Sequence, residues 1–271
     1  MYLQAPKFDL ATTETIMKLF YRELGQGQPL IILHGLFGSS DNWYSLSKIF
    51  AETFKVYVVD QRNHGLSPHD DKHDYDILAE DLKEFIAVNQ INQPVIIGHS
   101  MGGKAAMNFA VKNPSMLSQL IVVDIIPKAY PVHHDSILKG LKAIQLDQLE
   151  SRGQADRILS EFESDASVRQ FLLKNLARGE DQQFEWRINI PVLEKNIEAM
   201  GAAIDAKGKF TGPTLFIIGS KSNYFESGDE DLVKKYFPAA KIEKLEAGHW
   251  VQAEKPKEFT KTVFDFLKSF T

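Results

Sequence analysis

The stretch that decides the fold is Val95-Ile96-Ile97-Gly98-His99-Ser100-Met101-Gly102-Gly103, continuing as Lys104–Val111 (KAAMNFAV). Three consecutive β-branched residues that end at a glycine read as a short strand buried on both faces. The segment after Gly102 is Ala-rich with no β-branching before Val111, which suits a helix, and Asn113-Pro114 stops it. Between the two, Gly98-His99-Ser100-Met101-Gly102 has the pattern G-x-S-x-G. Glycine at both outer positions lets a strand turn directly into a helix, and the turn leaves the central serine strained and exposed at the strand's end.

Outward from this turn the same kind of run recurs. Leu30–Leu33, Val56–Val59, Leu120–Val123 and Leu215–Ile218 are short, continuous and apolar, as in a parallel sheet covered on both sides. Ile16–Glu23 alternates and suits an early antiparallel strand, and Lys241–Leu245 alternates as a last strand near an edge. Helical stripes lie between, with Leu78, Leu82, Phe85 and Ile86 in 77–88 and Phe259, Val263, Phe266, Leu267 and Phe270 in 257–270. Strands alternating with helices imply a doubly wound α/β sheet. The alternation breaks over 127–210, which holds helix-like segments but no convincing strand and is too long for a loop. It reads as an all-helical insertion of about four helices, forming a lid over the C-terminal strand ends. The expected organisation is therefore 1–126 and 211–271 as two parts of one core, with 127–210 as the lid.

Two further segments carry chemistry. His34-Gly35-Leu36-Phe37-Gly38 directly follows the first apolar strand. Acyl transfer develops negative charge on the substrate's carbonyl oxygen, and fixed backbone N–H groups stabilise it. One donor is expected from Met101 and the other from the glycine loop, with Leu36 favoured over Phe37. Gly248-His249-Trp250 follows the last strand. A serine hydroxyl needs a neutral imidazole to take its proton, and position in the chain selects His249 from the eight histidines.

Together these segments resemble the α/β-hydrolase superfamily across nearly the whole chain. Asp60-Gln61-Arg62-Asn63-His64-Gly65-Leu66-Ser67 is similar to the D-x-R-x-x-G-x-S segment of esterase- and epoxide-hydrolase-like members, and Asp60 and Arg62 are expected to fix loops beside the oxyanion site. HGLFGSSDNW, DQRNHGLSPH, GHSMGGKAAM and VVDIIP together resemble small bacterial esterases of the YbfF type. The resemblance implies a mostly parallel eight-stranded sheet with the lid after the sixth strand. It also implies a serine hydrolase acting on short- to medium-chain acyl esters or acyl-CoA thioesters, with no metal or organic cofactor. The acid is where this chain departs. Most members carry an aspartate after the seventh strand, where Gly219-Ser220-Lys221-Ser222-Asn223-Tyr224 offers only Asn223. A neutral amide cannot stabilise an imidazolium. The resemblance then points to Asp124, at the end of Leu120–Val123, with Glu226 in reserve. His34, His99 and Trp250 are expected to line the substrate pocket, with Phe184 and Trp186 as further candidates. The same residues would serve C–C bond hydrolysis, N-terminal peptide cleavage or a lyase step, with lid residues setting the substrate, whereas a non-enzymatic receptor on this fold is disfavoured by the presence of both Ser100 and His249.

Composition narrows the field further. A net charge of −5 argues against nucleic acid as a partner. The absence of cysteine excludes disulfides and thiolate metal sites. No apolar run reaches the roughly 18 residues of a membrane span. With no recognisable signal segment, the expectation is a cytoplasmic protein, monomer or dimer. His64, His69 and His73, with Asp70, Asp71 and Asp74, match no zinc spacing and read as a solvated loop.

Overall fold

The structure is a computed structural model and describes residues 17–270. Chain order gives β1 (Tyr21–Leu24), β2 (Gln28–Leu33), α1 (Tyr44–Phe50), β3 (Phe54–Val59), α2 (Tyr75–Val88), β4 (Val95–His99), α3 (Met101–Lys112) and β5 (Gln119–Val123). After β5 come α4 (Asp135–Ala143), α5 (Arg152–Leu159), α6 (Ala166–Leu173), β6 (Leu176–Arg178), β7 (Phe184–Trp186), α7 (Ile190–Lys195) and α8 (Ile197–Gly201). The chain then returns through β8 (Thr214–Gly219), α9 (Asp229–Tyr236), β9 (Ala240–Leu245), α10 (Val251–Glu254) and α11 (Pro256–Lys268).

The main sheet runs β1-β3-β2-β4-β5-β8-β9. β1 pairs antiparallel with β3, in register Tyr21 to Val59, and the remaining pairs are parallel. Among the described residues this sheet has seven strands, one fewer than the resemblance implied. The early alternating run is also shorter than its pattern suggested: Met17–Phe20 are not strand, and Ile16 lies outside the described residues.

Period-two alternation on fully buried strands divides the core in two. Ile31, Leu33, Ile96, Val122 and Phe216 pack on one face beneath α2, α3 and α9. Leu30, Ile32, Ile97, Ile121 and Ile217 pack on the other against Trp43, Phe50, Phe259 and Val263. Continuous apolar runs were necessary here, since neither face of a central strand meets water.

The 127–210 insertion leaves the sheet after β5, the fifth described strand, and is not all-helical. It holds five α-helices and a two-stranded hairpin, Leu176–Arg178 against Phe184–Trp186. It buries its own apolar cluster, including Leu141, Leu159, Leu172, Leu176 and Leu193, and the core loop residue Phe37 joins that cluster. Chain order and sheet order diverge at β2, where β3 lies to one side and β4 to the other. The crevice at such a switch point, beyond the strands' C-terminal ends, is where open α/β sheets place their ligands.

Candidate active site

Ser100 stands between β4 and α3 with φ +52° and ψ −118°, a conformation that costs a non-glycine residue of order 1–3 kcal/mol. Packing enforces it. A Cβ on Gly98 would lie 2.3 Å from the Gly102 carbonyl oxygen, and one on Gly102 would lie 2.5 Å from the His34 carbonyl oxygen. The turn therefore closes only around glycine, and Ser100 N–H is tied to Val123 O at 3.1 Å.

The next strand end carries Asp124, fully buried and also left-handed at φ +49°. Its Oδ1 accepts from Gly219 N–H at 2.8 Å. Its Oδ2 accepts from the Ser222 hydroxyl at 2.6 Å and from His249 Nδ1 at 2.7 Å. Holding the proton on Nδ1 leaves Nε2 free to accept one. Tyr224 stacks on the His249 ring at 4.3 Å between centroids, and the His249 carbonyl accepts from His99 Nε2 at 2.9 Å. The imidazole is thus fixed at its edge, its face and its backbone. Glu226 is different: its side chain is 72% exposed and pairs with Lys128 at 3.2 Å.

The glycine loop after β2 is held by two buried histidines. His34 Nδ1 donates to Gly35 O at 2.8 Å, and its Nε2 accepts from Gln61 N–H at 3.0 Å. His64 Nδ1 donates to Arg62 O at 2.9 Å, and its Nε2 accepts from Phe37 N–H at 3.2 Å. Both need the neutral form, and burial lowers His34 to about 4 and His64 to about 3. Phe37 N–H is therefore already spent, which corrects its candidacy as a donor to substrate and leaves Leu36 as the loop's candidate. Asp60 clamps this region by accepting from Ser40 N–H at 2.5 Å and Leu66 N–H at 2.9 Å. Arg62 makes a two-point bond to buried Asp81, at 2.5 and 2.6 Å. The polar segment 64–74 is solvated only in part: His69 and Asp71 are exposed but His64 and His73 are buried, and among the described residues no cluster suits a metal ion.

Ser100, His249, Leu36, Met101, His34, His99 and Trp250 all border one cavity of about 1050 Å³. Phe184 and Trp186 do not. They belong to the insertion's hairpin, where Phe184 is buried with Arg178 over its ring at 4.1 Å. The aromatic wall comes instead from Tyr75, Tyr130, Phe171 and Tyr224, which no motif marked. Lys104 was also missed. It is buried one turn beyond Ser100, and its Nζ donates to the carbonyls of Gly201, at 3.2 Å, and Ala202. Burial lowers it to about 7, and it ties the end of α8 to α3.

A strained serine after β4, a carboxylate-bound histidine after β9 and a glycine loop after β2, on a sheet of this order, define an α/β-hydrolase site. The comparisons agree. The alpha/beta hydrolase fold family matches residues 28–156. The chain is 36% identical over 253 residues to the sn-1-specific diacylglycerol lipase ABHD11 of Danio rerio, covering 90% of this chain and 80% of that one. It is 35% identical over 241 residues to esterase YbfF of Escherichia coli, covering 88% and 92%. A marine microorganism esterase of known structure superposes with a TM-score of 0.90 at 42% identity, covering 92% and 99%. The chain belongs to the α/β-hydrolase fold family and is an ester-cleaving hydrolase within it.

Proposed function

We propose that the protein hydrolyses neutral carboxylic esters of short- to medium-chain acyl groups through an acyl-enzyme on Ser100. His249 takes the Ser100 hydroxyl proton as Oγ bonds to the acyl carbon. The resulting oxyanion lies between the N–H groups of Leu36 and Met101. Collapse breaks the ester C–O bond, and His249 gives its proton to the leaving alcohol. Water, deprotonated by His249, then releases the acid and restores Ser100. Asp124 holds His249 in the required tautomer and stabilises its cationic form. The observation that carries this reading is the 2.7 Å contact of Asp124 Oδ2 with His249 Nδ1 beside the cavity that Ser100 borders.

The insertion is read as the lid. In support, Phe37 packs into the insertion's core, and Phe37 O accepts from Asn175 Nδ2 at 2.7 Å. Val168 and Phe171 of α6 and Met200 of α8 border the cavity. A neutral ester is favoured over an acyl-CoA thioester because the cavity's charged margin is Asp165, Lys174 and Glu254, which does not suit a polyphosphate. The names of the vertebrate relatives extend the candidates to partial glycerides. A panel of p-nitrophenyl acetate, butyrate and octanoate, a dibutyrin and butyryl-CoA tests this. Turnover of butyrate and dibutyrin is expected, with butyryl-CoA at least tenfold poorer in kcat/KM. Preferred turnover of the thioester would overturn the substrate reading, and failure on every ester would overturn the proposal.

A further inference from the structure

The loop after β8 supplies no carboxylate to His249, yet it lies flat against the imidazole. Tyr224 stacks on His249 with 4.3 Å between ring centroids and 21° between ring planes. The imidazole therefore meets the negative face of the phenol ring and not its positive edge. Tyr224 is itself held at three points. Its N–H donates to Ser222 Oγ at 3.2 Å, its carbonyl accepts from the Tyr130 hydroxyl at 2.7 Å, and its ring meets the Tyr130 ring at 5.0 Å. The His249 side chain is only 20% exposed, so water screens the stacked pair little. Among the other ionisable groups around the imidazole, His99 lies 4.7 Å away between centroids and is lowered to about 3 by burial. Burial also lowers His134 and raises the Tyr224 phenol, so all three are neutral near pH 7. Glu254, on α10, is engaged by Gly248 N–H at 2.8 Å. A charge on the imidazole is thus met by the Asp124 carboxylate at its edge and by one π face.

We infer that Tyr224 is a positioning residue whose ring face stabilises the His249 imidazolium and so shares with Asp124 the work of making His249 a stronger base. The inference rests on the Ser100 acyl-transfer reading and deepens it. In that chemistry His249 takes a proton twice, once from Ser100 and once from water. An aromatic face attracts a cation within about 6 Å of its centroid, and the attraction is larger where water is excluded. A neutral imidazole gains far less from the same face. The contact is therefore stronger once the proton has moved than before, which is the condition for an interaction to raise kcat. Because the ring favours the protonated form, it raises the basicity of His249, and removing the ring lowers it.

The test is a series at position 224 that alters the charge of the ring face more than its size. Tyr224→Leu removes the ring and Tyr224→Phe restores it. The same position bearing 4-fluorophenylalanine and then 3,4,5-trifluorophenylalanine keeps the ring and progressively depletes its face. Each protein is assayed on p-nitrophenyl butyrate across pH, with a thermal melt to confirm folding. Tyr224→Leu and the trifluorinated protein should lower kcat by about three- to tenfold and move the acid limb of kcat/KM down by about 0.5–1 pH unit. The monofluorinated protein should fall between, Tyr224→Phe should recover most of the loss, and KM should stay within about twofold. Packing survives fluorination, so a trifluorinated protein with the kcat and acid limb of Tyr224→Phe would overturn the inference. So would a lower kcat with an unmoved limb, or a Tyr224→Phe protein as impaired as Tyr224→Leu. Failure of the wild type on p-nitrophenyl butyrate would instead refute the hydrolase reading beneath it.

Discussion

Replacing Asp124 with asparagine keeps the shape of the side chain and removes its charge, and the structure specifies what that does. The buried carboxylate receives three donors: Gly219 N–H on Oδ1, and the Ser222 hydroxyl and His249 Nδ1 on Oδ2. An asparagine has one oxygen for them. With its NH₂ toward Gly219, two donors face each other, at about 1–3 kcal/mol for the group left unpaired. With its NH₂ toward His249, Nδ1 must become the acceptor and the ring proton moves to Nε2, where it blocks transfer from Ser100. The second arrangement relieves the first, so the variant folds with the wrong tautomer and without charge to balance the imidazolium. The expected loss in kcat is about 10⁴-fold, the scale of the same change in a serine protease triad, or about 5.4 kcal/mol of transition-state stabilisation. KM should stay within about threefold, because Asp124 does not reach substrate. The assay is steady-state hydrolysis of p-nitrophenyl butyrate, with a thermal melt to confirm folding and Glu226→Gln as companion. Exposed Glu226 should tolerate the change within about twofold. A loss under tenfold for Asp124→Asn, or a collapse of Glu226→Gln, would refute the reasoning.

Acid stability should be unusual. His34 is lowered to about 4, and His64, His73 and His99 to about 3, all chiefly by burial. Each is a base whose folded value lies below its unfolded value near 6.5. The unfolded chain therefore binds the extra protons, and stability present above pH 6.5 is lost as pH falls from about 6.5 toward 3–4. At pH 5.5 each histidine costs about 1.4 kcal/mol, so the four together approach the whole stability of a typical domain. Urea midpoints at pH 7.5, 6.5 and 5.5 check this, and a flat series would contradict it. His64→Leu should orphan Phe37 N–H, lower stability by about 1–3 kcal/mol and cut kcat by about tenfold or more as the glycine loop relaxes. A melt and kcat measured together test it: reduced stability with unchanged kcat would mean that His64 does not set the loop's geometry.

Much of the framework was legible because central strands must be apolar on both faces, and β2, β3, β4, β5 and β8 carry that mark in every residue that matters. The hairpin of 176–186 was not legible. Its strands have three residues each, too few to display a period, and their aromatic pair read as pocket wall. Within 64–74 the outcome was the opposite. Polar composition suggested solvent, yet His64 and His73 are buried, His64 by pairing with the Arg62 carbonyl and the Phe37 amide, a pairing that sequence spacing does not show. At the site, Asn223 in the usual acid position drew attention to Asp124, which lies within hydrogen-bond reach of His249. The neighbouring Ser222 carried no such signal, since nothing local marks a hydroxyl whose partner, Asp124, lies far away in the sequence.

In the proposed mechanism Ser100 is a nucleophile activated by His249. Incubation with a fluorophosphonate, followed by intact mass and peptide mapping, tests it most directly. One adduct is expected, on the peptide bearing Ser100, lost in Ser100→Ala together with ester hydrolysis and strongly slowed in His249→Ala. Labelling at another residue, or undiminished hydrolysis by folded Ser100→Ala, would contradict it.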